Sequence, residues 1–478
     1  MIMQFNGKIV AVVVAIVVVA AGAGAAVALM NRSSGDDYVY DAKAQFNVYG
    51  NANGDTDINQ KDVEFIEDLA AQDTIDYEKN KLADANNDGK IDGSDADYVK
   101  SMIDGTAKKL YYINLDGNTC SFNVKDKHNL IPLHRTVTRT ALILSSKDPN
   151  INIIASDNTA TEAEFAADTK LPGFTNLGSS TAPDMEKISN LEESKGSIVV
   201  MLGRSATFAS NIEETFKNST EVQIMRVNTW EGDALGGMLT AGYLLSGVGY
   251  KSPSDGGSGK TAWDQAKAYE KWYLDIMNVI SKNTKDLSDE QKKTCLITYL
   301  GTDVGGKPFT EVYSSNAGNS LRGKGSGDYE NTLLCGGNNI LNKFSGTADA
   351  NGRQPWTMEE MAQYGKNVDV FIVLCKGMFY SANEFQKGEG QLRECFEGYL
   401  SPQTSIYMVS WEMNGAPEPL QLAYYAKILN PDNSEIQDLD IPGIWSGYLN
   451  LIGYSDVPGM SWDKLSFEHG PIHTTKAV

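Results

Sequence analysis

Histidine is scarce in this chain, with four residues among 478. Zinc and manganese sites built from side chains use several His together with Asp or Glu. His128 and His134 lie six residues apart, while His469 and His473 lie near the end of the sequence. Three suitably placed ligands cannot be assembled from them, so the sequence argues against a zinc or manganese centre.

Cysteine is also scarce and shows no metal-binding spacing. The chain has five Cys, an odd number that forbids complete pairing within one chain, and no C-x-x-C pair. Iron–sulfur clusters need closely spaced Cys ligands. A Gly-rich phosphate loop, a nucleophile elbow and a metalloprotease helix are absent as well. An enzyme is therefore not expected, and the redox state of the Cys stays open. The five are Cys120, Cys295, Cys335, Cys375 and Cys395.

Positive charge is in deficit. Lys and Arg number 41 against 62 Asp and Glu, which gives a net charge of −21. A negative surface repels nucleic acid and suits a well-solvated protein outside the cell. At this length the chain can form two or three domains, each with a sizeable core.

One long apolar run lies near the N-terminus. Residues 9–30 carry no charge and are bracketed by Lys8 and Arg32. About 20 apolar residues in a helix cross the hydrocarbon core of a bilayer. We expect residues 1–34 to form an uncleaved, single-pass membrane anchor with the bulk of the chain on the extracellular face. The alternative is a secretory signal peptide cleaved in the Ala- and Gly-rich residues 21–25.

Two twelve-residue segments, 51–62 and 84–95, have the pattern of calcium-binding loops. Such loops supply oxygen from positions 1, 3, 5, 7, 9 and 12, with position 7 contributing its backbone carbonyl. Both segments offer oxygen at every one of these positions. The alternative is a solvated Asp- and Asn-rich loop, but two copies in tandem favour calcium. The predicted ligands are Asn51, Asn53, Asp55, Asp57, Asn59 and Asp62 in the first loop and Asp84, Asn86, Asp88, Lys90, Asp92 and Asp95 in the second.

The pair resembles a type I dockerin, the module that binds cohesin domains. The loops begin 33 residues apart, an amphipathic helix follows each, and position 12 is Asp. The resemblance implies a small all-α module over residues 45–106, with two calcium ions and a possible cohesin partner. Thr56 stands at position 6, where Gly is usual, so we expect weaker calcium binding in the first loop. The expected apolar helix stripes are Val63, Phe65, Ile66 and Leu69, and Tyr98, Val99, Met102 and Ile103.

The rest of the chain alternates apolar strands with helices, which indicates an α/β fold with mainly parallel sheets. The expected strands are 151–155, 197–202, 222–227, 294–300, 368–374 and 405–410, and the expected helices include 184–191, 208–217, 237–245, 358–364 and 420–429. Two strands around Asp116-Gly117 predict a hairpin. The alternation is broken once, by a helical pattern over residues 261–282 with apolar residues three and four apart. Two matching halves joined by one long helix predict a ligand between two lobes. The expected ranges are 110–260 for the hairpin and first lobe, 261–283 for the interlobe helix and 284–478 for the second lobe.

This part resembles the ABC-transporter solute-binding proteins of the iron-siderophore and cobalamin type. The resemblance rests on the hairpin ending at residues 130–133, the segment 171–179, the helix starts at Glu186 and Glu359, and the closing helix at 424–431. Residues 135–148 depart from the family pattern. The resemblance implies two Rossmann-like lobes bridged by one long helix. It also implies capture of an iron chelate, haem or cobalamin for delivery to an ABC importer.

Residue roles follow from the resemblance and from side-chain chemistry. In that family one Glu on each lobe docks onto Arg residues of the permease, and Glu186 and Glu359 stand at the matching places, with Glu360 as the fallback. An Arg can bind a carboxylate or catecholate through two hydrogen bonds, and an aromatic ring can stack on a flat ligand. The predicted ligand-binding residues, all at expected strand ends, are Arg139, Arg204, Trp230, Tyr299, Lys376 and Trp411.

Two further readings remain open. The dockerin-like module could hold the chain to a cohesin-bearing surface complex, as part of a scaffold or adhesion protein. The same module could instead pack on its own binding domain as a spacer, in which case removal of calcium would also destabilise the lobes.

Overall fold

The computed structural model describes residues 40–42, 44–158, 174–203, 208–229, 233–300, 320–322, 327–347, 353–375, 398–410, 418–453 and 472–473. They form a mixed α/β fold. In these ranges no helix has the length and apolar character needed to cross a membrane. The predicted anchor at 9–30 lies outside the described residues.

The helices belong to the calcium module, to the two lobes and to the junction between the lobes. They are α1 (Gln60–Ala70), α2 (Gly93–Ile103), α3 (Arg135–Ser145), α4 (Met185–Lys195), α5 (Ile212–Phe216), α6 (Ala234–Ser246), α7 (Ala262–Thr284), α8 (Gly327–Leu334), α9 (Met358–Tyr364), α10 (Glu418–Leu429), α11 (Ser434–Gln437) and α12 (Ile441–Ile452).

The strands form a hairpin, two larger sheets and short peripheral pairs. They are β1 (Lys109–Ile113), β2 (Thr119–Asn123), β3 (His128–Leu133), β4 (Ile151–Ile153), β5 (Ala155–Ser156), β6 (Thr175–Asn176), β7 (Gly178–Ser179), β8 (Ala182–Pro183), β9 (Ile198–Leu202), β10 (Val222–Arg226), β11 (Thr294–Leu300), β12 (Ser320–Arg322), β13 (Asn338–Asn339), β14 (Arg353–Gln354), β15 (Val370–Cys375), β16 (Ser405–Ser410) and β17 (Ile472–His473).

The first lobe is built on a parallel sheet with the strand order β10-β9-β3-β4. All five residues of β9 are buried, as expected for a strand covered on both faces. Parallel neighbours need crossover connections, and α4 and α5 supply two of them. The carboxyl ends of these strands therefore share one edge of the sheet.

The second lobe has the strand order β14-β12-β11-β15-β16-β17. Its central strands β11, β15 and β16 are parallel, while β12 and β17 pair antiparallel with the strands beside them. The β13 strand pairs with the start of β11. The two lobes thus repeat a parallel, helix-covered core, which is what the alternating sequence pattern predicts.

Helix α7 joins the lobes. Thr261 caps it, and a capping box with Asp264 satisfies the first backbone amides. Its 23 residues span about 34 Å. The helix packs against α3 and α6 of the first lobe and against α10, α11 and α12 of the second, and α12 also contacts α3 directly. The lobes are therefore held at one junction.

The segment predicted to form the calcium module, residues 45–106, is packed onto the first lobe and α7. Val48 forms an isolated β-bridge with Tyr112 of the hairpin. Phe46 and Met102 belong to the same apolar core as the lobes. The Gly249 amide donates to the Met102 carbonyl oxygen at 2.8 Å. Residues 45–106 are therefore in direct contact with the first lobe.

Several elements differ from the sequence-based expectation. The strand expected at 151–155 is divided into β4 and β5 at Ile154. The helix expected at 208–217 is reduced to α5, because the positive φ of Ala209, 48°, is not helical. No helix was expected at α3, where three β-branched Thr weaken the helical signal. Phe65 was expected in the apolar stripe of α1 but is 36% exposed, so that prediction was wrong.

Candidate functional site

The two calcium-type loops share several hydrogen bonds at the 33-residue offset and differ at position 1, where Asp84 accepts the amides of Asp88 and Gly89. The carboxylate at position 12 closes each loop. Asp62 Oδ2 accepts the Asn59 amide and Asp95 Oδ2 accepts the Asp92 amide, both at 2.9 Å. The other oxygen of Asp62 accepts the Asn53 amide at 3.2 Å, and that of Asp95 accepts the matching amide of the second loop at 3.1 Å. Position 12 thus belongs both to the loop and to the capping box of the helix that follows.

The middle positions of the loops match as well. The Asp55 amide donates to Asn53 Oδ1 at 2.8 Å, and the Asp88 amide donates to Asn86 Oδ1 at 2.9 Å. These bonds curl the backbone so that oxygens of positions 1, 3 and 5 come from one compact turn. The two segments are therefore copies of one loop design in three dimensions as well as in sequence.

Buried oxygens indicate that the loops fit calcium. Asn51 is 2% exposed, and its amide nitrogen donates to the Asp55 carbonyl oxygen at 3.0 Å, so its side chain lies inside the first loop. Its Oδ1 is buried and has no hydrogen-bond partner in the described part of the chain. Burial raises the pKa of Asp62 and of Asp95 to about 6. A bound Ca²⁺ would accept these oxygens and offset the cost of burying the carboxylates.

The ligand set is not a cluster of acids alone. In the ranges the structure describes, no three His, Cys, Asp or Glu side chains are arranged to hold a metal ion by themselves. The loops depend in addition on Asn oxygens and on the backbone carbonyls of Asp57 and Lys90. Calcium takes side-chain amide and backbone carbonyl oxygens as ligands beside carboxylates.

The loops differ at position 6. Gly89 has a φ of 90° in the second loop, whereas Thr56 of the first loop does not have a positive φ. Both loops take the left-handed conformation at position 4, through Gly54 and Asn87. The Thr56 side chain is therefore accommodated by a different backbone path, and this position faces α7, as described below.

The two predicted docking residues occupy equivalent places on the lobes. Glu186 lies in the first turn of α4, which Asp184 caps, and Glu359 lies in the first turn of α9. Both side chains are exposed. Glu360, the fallback, instead accepts hydrogen bonds from Ser345 and Thr357, which hold its pKa below the usual value despite its burial. Glu359 is thus the freer carboxylate of that turn.

Only part of the predicted ligand pocket lies in the described residues. Arg139 was expected at a strand end, but it lies within helix α3 and is 4% exposed, so that placement was wrong. Tyr299 is in β11, where its backbone pairs with Ser320 and Leu374, and its side chain is outside the described set. The remaining four, outside the described residues, are Arg204, Trp230, Lys376 and Trp411.

The structure adds a buried acid that the sequence analysis missed. Glu418, the first residue of α10, is 6% exposed, and neither carboxyl oxygen has a hydrogen-bond partner among the described residues. Burial, then the charge of Asp233 in the first lobe, raises its pKa to about 8. Its charge also contributes to the raised pKa values of Tyr269 and Tyr273 on α7. Glu418 therefore lies where the two lobes meet the joining helix. In the sequence it looked like an ordinary first-turn acid.

A polar cavity of about 270 Å³ lies at the carboxyl end of β10. Asp233 lines it and caps α6, accepting the Gly236 and Gln45 amides at 3.0 Å each. Both carboxyl oxygens of Asp233 therefore already accept hydrogen bonds. The other polar side chains of the cavity wall are neutral amides and one hydroxyl. The cavity is formed by the hairpin, the segment before the calcium loops and α6, with the lining residues Gln45, Asn47, Ile113, Asn114, Leu115, Gly117, Val227, Asn228, Asp233, Gly237 and Thr240.

No protein-family model matches this chain, and no curated protein matches it either.

Among solved structures the chain is similar to solute-binding proteins of ABC transporters. One is the TroA-like periplasmic binding protein FepB from Veillonella parvula, at 13% identity and a TM-score of 0.49, covering 76% of this chain and 98% of that one. A second is an ABC transporter solute binding protein from Sulfurospirillum deleyianum, at 12% identity and 0.47, covering 72% and 95%. A third is Staphylococcus aureus SirA complexed with staphyloferrin B, at 14% identity and 0.40, covering 69% and 99%.

Proposed function

We propose that this chain is a membrane-anchored, extracellular solute-binding protein. It captures an iron chelate of the siderophore type, haem or cobalamin and delivers it to an ABC importer. It performs no chemical conversion of its cargo.

The observation that carries the proposal is the pair of parallel sheets joined through α7. Each sheet directs the carboxyl ends of its parallel strands to one edge, where α/β proteins bind ligands. Helix α7 packs on both lobes and α12 contacts α3 beside it, so the lobes meet at one junction around which small rotations would change their separation. Such a geometry suits a receptor that encloses one ligand and later releases it.

Permease docking is supported by Glu186 and Glu359. One exposed carboxylate in the first turn of a helix on each lobe gives the permease two fixed anions to engage. Their separation would report the positions of the lobes, and surface charges would steer the encounter.

The proposed cargo is flat or anionic, which requires aromatic walls and cationic donors. The residues proposed for that role are Arg139, Arg204, Trp230, Tyr299, Lys376 and Trp411. Four of them directly follow a described strand or its flanking residues in the sequence, at the end where α/β ligands bind.

Residues 9–30 are proposed to anchor the chain, and calcium is proposed to occupy both loops outside the cell. The matched loop hydrogen bonds and the buried Asn51 Oδ1 support calcium. The module is packed into the lobe core through Phe46 and Met102. This packing favours a module that acts as a spacer fixed to the lobes over an independent domain that binds a cohesin.

The deciding experiment is a tryptophan-fluorescence titration of the full chain in mild detergent with calcium present. The chain has seven Trp, so closure or quenching gives a signal. We expect saturable quenching, micromolar or tighter, by one class among ferric siderophores, haem and cobalamin. No response to any of the three, from protein shown to be folded by circular dichroism, would contradict the proposed function.

A further inference from the structure

The first calcium loop contacts the interlobe helix through one side chain. Lys267 on α7 donates from Nζ to the carbonyl oxygen and to the Oγ1 of Thr56, both at 3.2 Å. The same Nζ lies 3.4 Å from Asp57 Oδ1 and forms an ion pair with Glu270. Lys267 is thus held between loop positions 6 and 7 and its own helix.

The second loop makes no such contact in the part of the chain the structure describes. Its positions 6 and 7, Gly89 and Lys90, are exposed, whereas Thr56 and Asp57 are half-buried. The departure from Gly at position 6 therefore coincides with the place where the first loop touches α7. The two loops share one internal design but have different surroundings.

The Lys267 contact leaves the calcium ligands of the first loop available. At position 7 an EF-hand loop presents its backbone carbonyl to the ion, so the side chain of Asp57 points elsewhere and can pair with Lys267. Calcium and Lys267 would therefore hold opposite sides of the same two residues. Calcium binding would order the backbone at Thr56 and Asp57 and so favour the Lys267 contact. The Lys267 contact would in turn order the same backbone for calcium.

The contact reaches the apolar core directly beneath it. Lys267 Nζ lies 5.5 Å from the ring centroid of Trp263. Trp263 stacks on Phe46, with centroids 5.4 Å apart, and meets Tyr243 of α6 edge-on at 5.2 Å. Any displacement of the first loop is thus transmitted to a Trp on the helix that joins the lobes.

We propose that calcium in the first loop is a regulatory site that the interlobe helix senses through Lys267, and that calcium in the second loop lacks this coupling. Occupancy of residues 51–62 stabilises the lobes, and reciprocally the Lys267 contact tightens calcium in that loop. The inference rests on the proposed calcium occupancy of the loops but needs no assumption about the cargo.

The test is fluorescence-monitored thermal unfolding of the full chain in mild detergent, with calcium or with EDTA. Residues 40–108 contain no Trp, so every Trp that gives the signal lies outside them. Asp55→Ala disables the first loop, and Asp88→Ala disables the second at the same position 5. Lys267→Met removes the contact and keeps an aliphatic stem over Trp263. Lys271→Met is the matched control, since Lys271 pairs only with Asp275 one turn later among the described contacts.

We expect calcium to raise the midpoint of the wild-type transition by several degrees, because an ion that binds only the folded state stabilises it. Asp55→Ala should abolish this rise, while Asp88→Ala and Lys271→Met should retain most of it. Lys267→Met should reduce the rise and weaken calcium binding at one of the two sites, by about fivefold in calorimetry.

Three outcomes would overturn the proposal. The first is an equal rise in the midpoint for Lys267→Met and wild type. The second is an equal loss for the two Asp→Ala variants. The third is absence of calcium binding in calorimetry, which would refute calcium occupancy itself while leaving cargo binding to be judged by its own titration. Since each variant is compared with itself in EDTA, a general loss of stability does not affect the comparison.

Discussion

The ring of Phe46 stacks on that of Trp263, with centroids 5.4 Å apart and an interplanar angle of 27°. Phe46 precedes the first calcium loop, and Trp263 lies in the first turn of the interlobe helix. Both are buried, at 1% and 2% exposure. This pair therefore joins the segment before the first loop to the helix that holds the lobes. The module keeps a small apolar cluster of its own but is attached to the lobe core through Phe46 and Met102.

Phe46→Ala is expected to destabilise the whole chain, by about 3–5 kcal/mol, because it leaves a cavity in a shared core. Chemical unfolding followed by circular dichroism and by Trp fluorescence measures the effect. The two signals should shift together, since module and lobes share the ring. Phe65→Ala on the exposed face of α1 is the control and should cost far less, because its ring is already 36% exposed. A loss of module structure that leaves the Trp transition unchanged would contradict the shared core.

Gly249→Ala is expected to loosen the contact between α2 and the first lobe. A Cβ at Gly249 would lie 2.7 Å from the Gly105 Cα, and Gly249 has a φ of +67°. Both the steric clash and the left-handed backbone therefore oppose the substitution. We expect a cost of about 2–4 kcal/mol in the free energy of unfolding.

The matched control for that substitution is Gly117→Ala at the hairpin turn. Gly117 also has a positive φ, at +79°, but a Cβ there meets nothing within 4 Å. It should cost only about 1 kcal/mol from the backbone. Equal costs at the two positions would mean that the close approach of the two Gly contributes nothing.

The sequence predicted the repeated parts of the fold well. The alternation of apolar strands and helices located β9, β10, β11, β15 and β16, because strands of a helix-covered parallel sheet are short apolar runs. The spacing of apolar residues over 261–282 located α7 to within two residues at each end. The sequence did not predict helix α3, because its three Thr residues favour a strand over a helix. Packing against α7 and α12 stabilises the helix in the folded chain.

The candidate site was predictable only where the chemistry is local. All twelve calcium positions lie in two contiguous loops, so their spacing was visible in the sequence. Lys267 lies 211 residues from its partner Thr56. Glu418 is likewise far in sequence from Asp233 and from Tyr269 and Tyr273, with which it interacts. Nothing in their own neighbourhoods distinguishes them from ordinary helix residues. Long-range partnerships of this kind require the folded structure.

A double substitution of Glu186→Gln and Glu359→Gln is expected to impair delivery while leaving cargo binding intact. The two carboxylates are exposed in first helical turns on separate lobes, and neither forms an ion pair among the described residues. Uptake of labelled cargo by cells expressing the chain with its permease should fall at least tenfold, as a loss of two charged contacts implies.

Glu193→Gln provides the control for docking, since Glu193 is exposed later on α4. It should leave uptake unchanged. Normal uptake by the double variant, with normal surface levels, would remove both carboxylates from the docking interface.

The last prediction concerns the buried carboxyl of Glu418, whose pKa burial and Asp233 raise to about 8. An acid with a raised pKa in the folded state favours folding in its neutral form. Its contribution to stability is therefore fully present below about pH 4.5, the value of an ordinary Glu, and is lost as the pH rises to about 8. Glu418→Gln keeps the shape of the side chain and removes its ionisation. The free energy of unfolding of this variant should therefore fall less than that of wild type between pH 5 and pH 8.

Between pH 5 and pH 8 the free energy of unfolding of wild type is expected to fall by on the order of 3 kcal/mol more than that of Glu418→Gln. It is measured by chemical unfolding with calcium present, which keeps the loop carboxylates out of the comparison. Glu64→Gln, at an exposed position on α1, should have the profile of wild type. Parallel profiles for wild type and Glu418→Gln would mean that the carboxylate is ionised at neutral pH and has a cationic partner at the junction. A shallower pH profile for Glu418→Gln than for wild type would mean that Glu418 is protonated between the lobes. Its ionisation would then oppose the contact between the lobes through repulsion from Asp233.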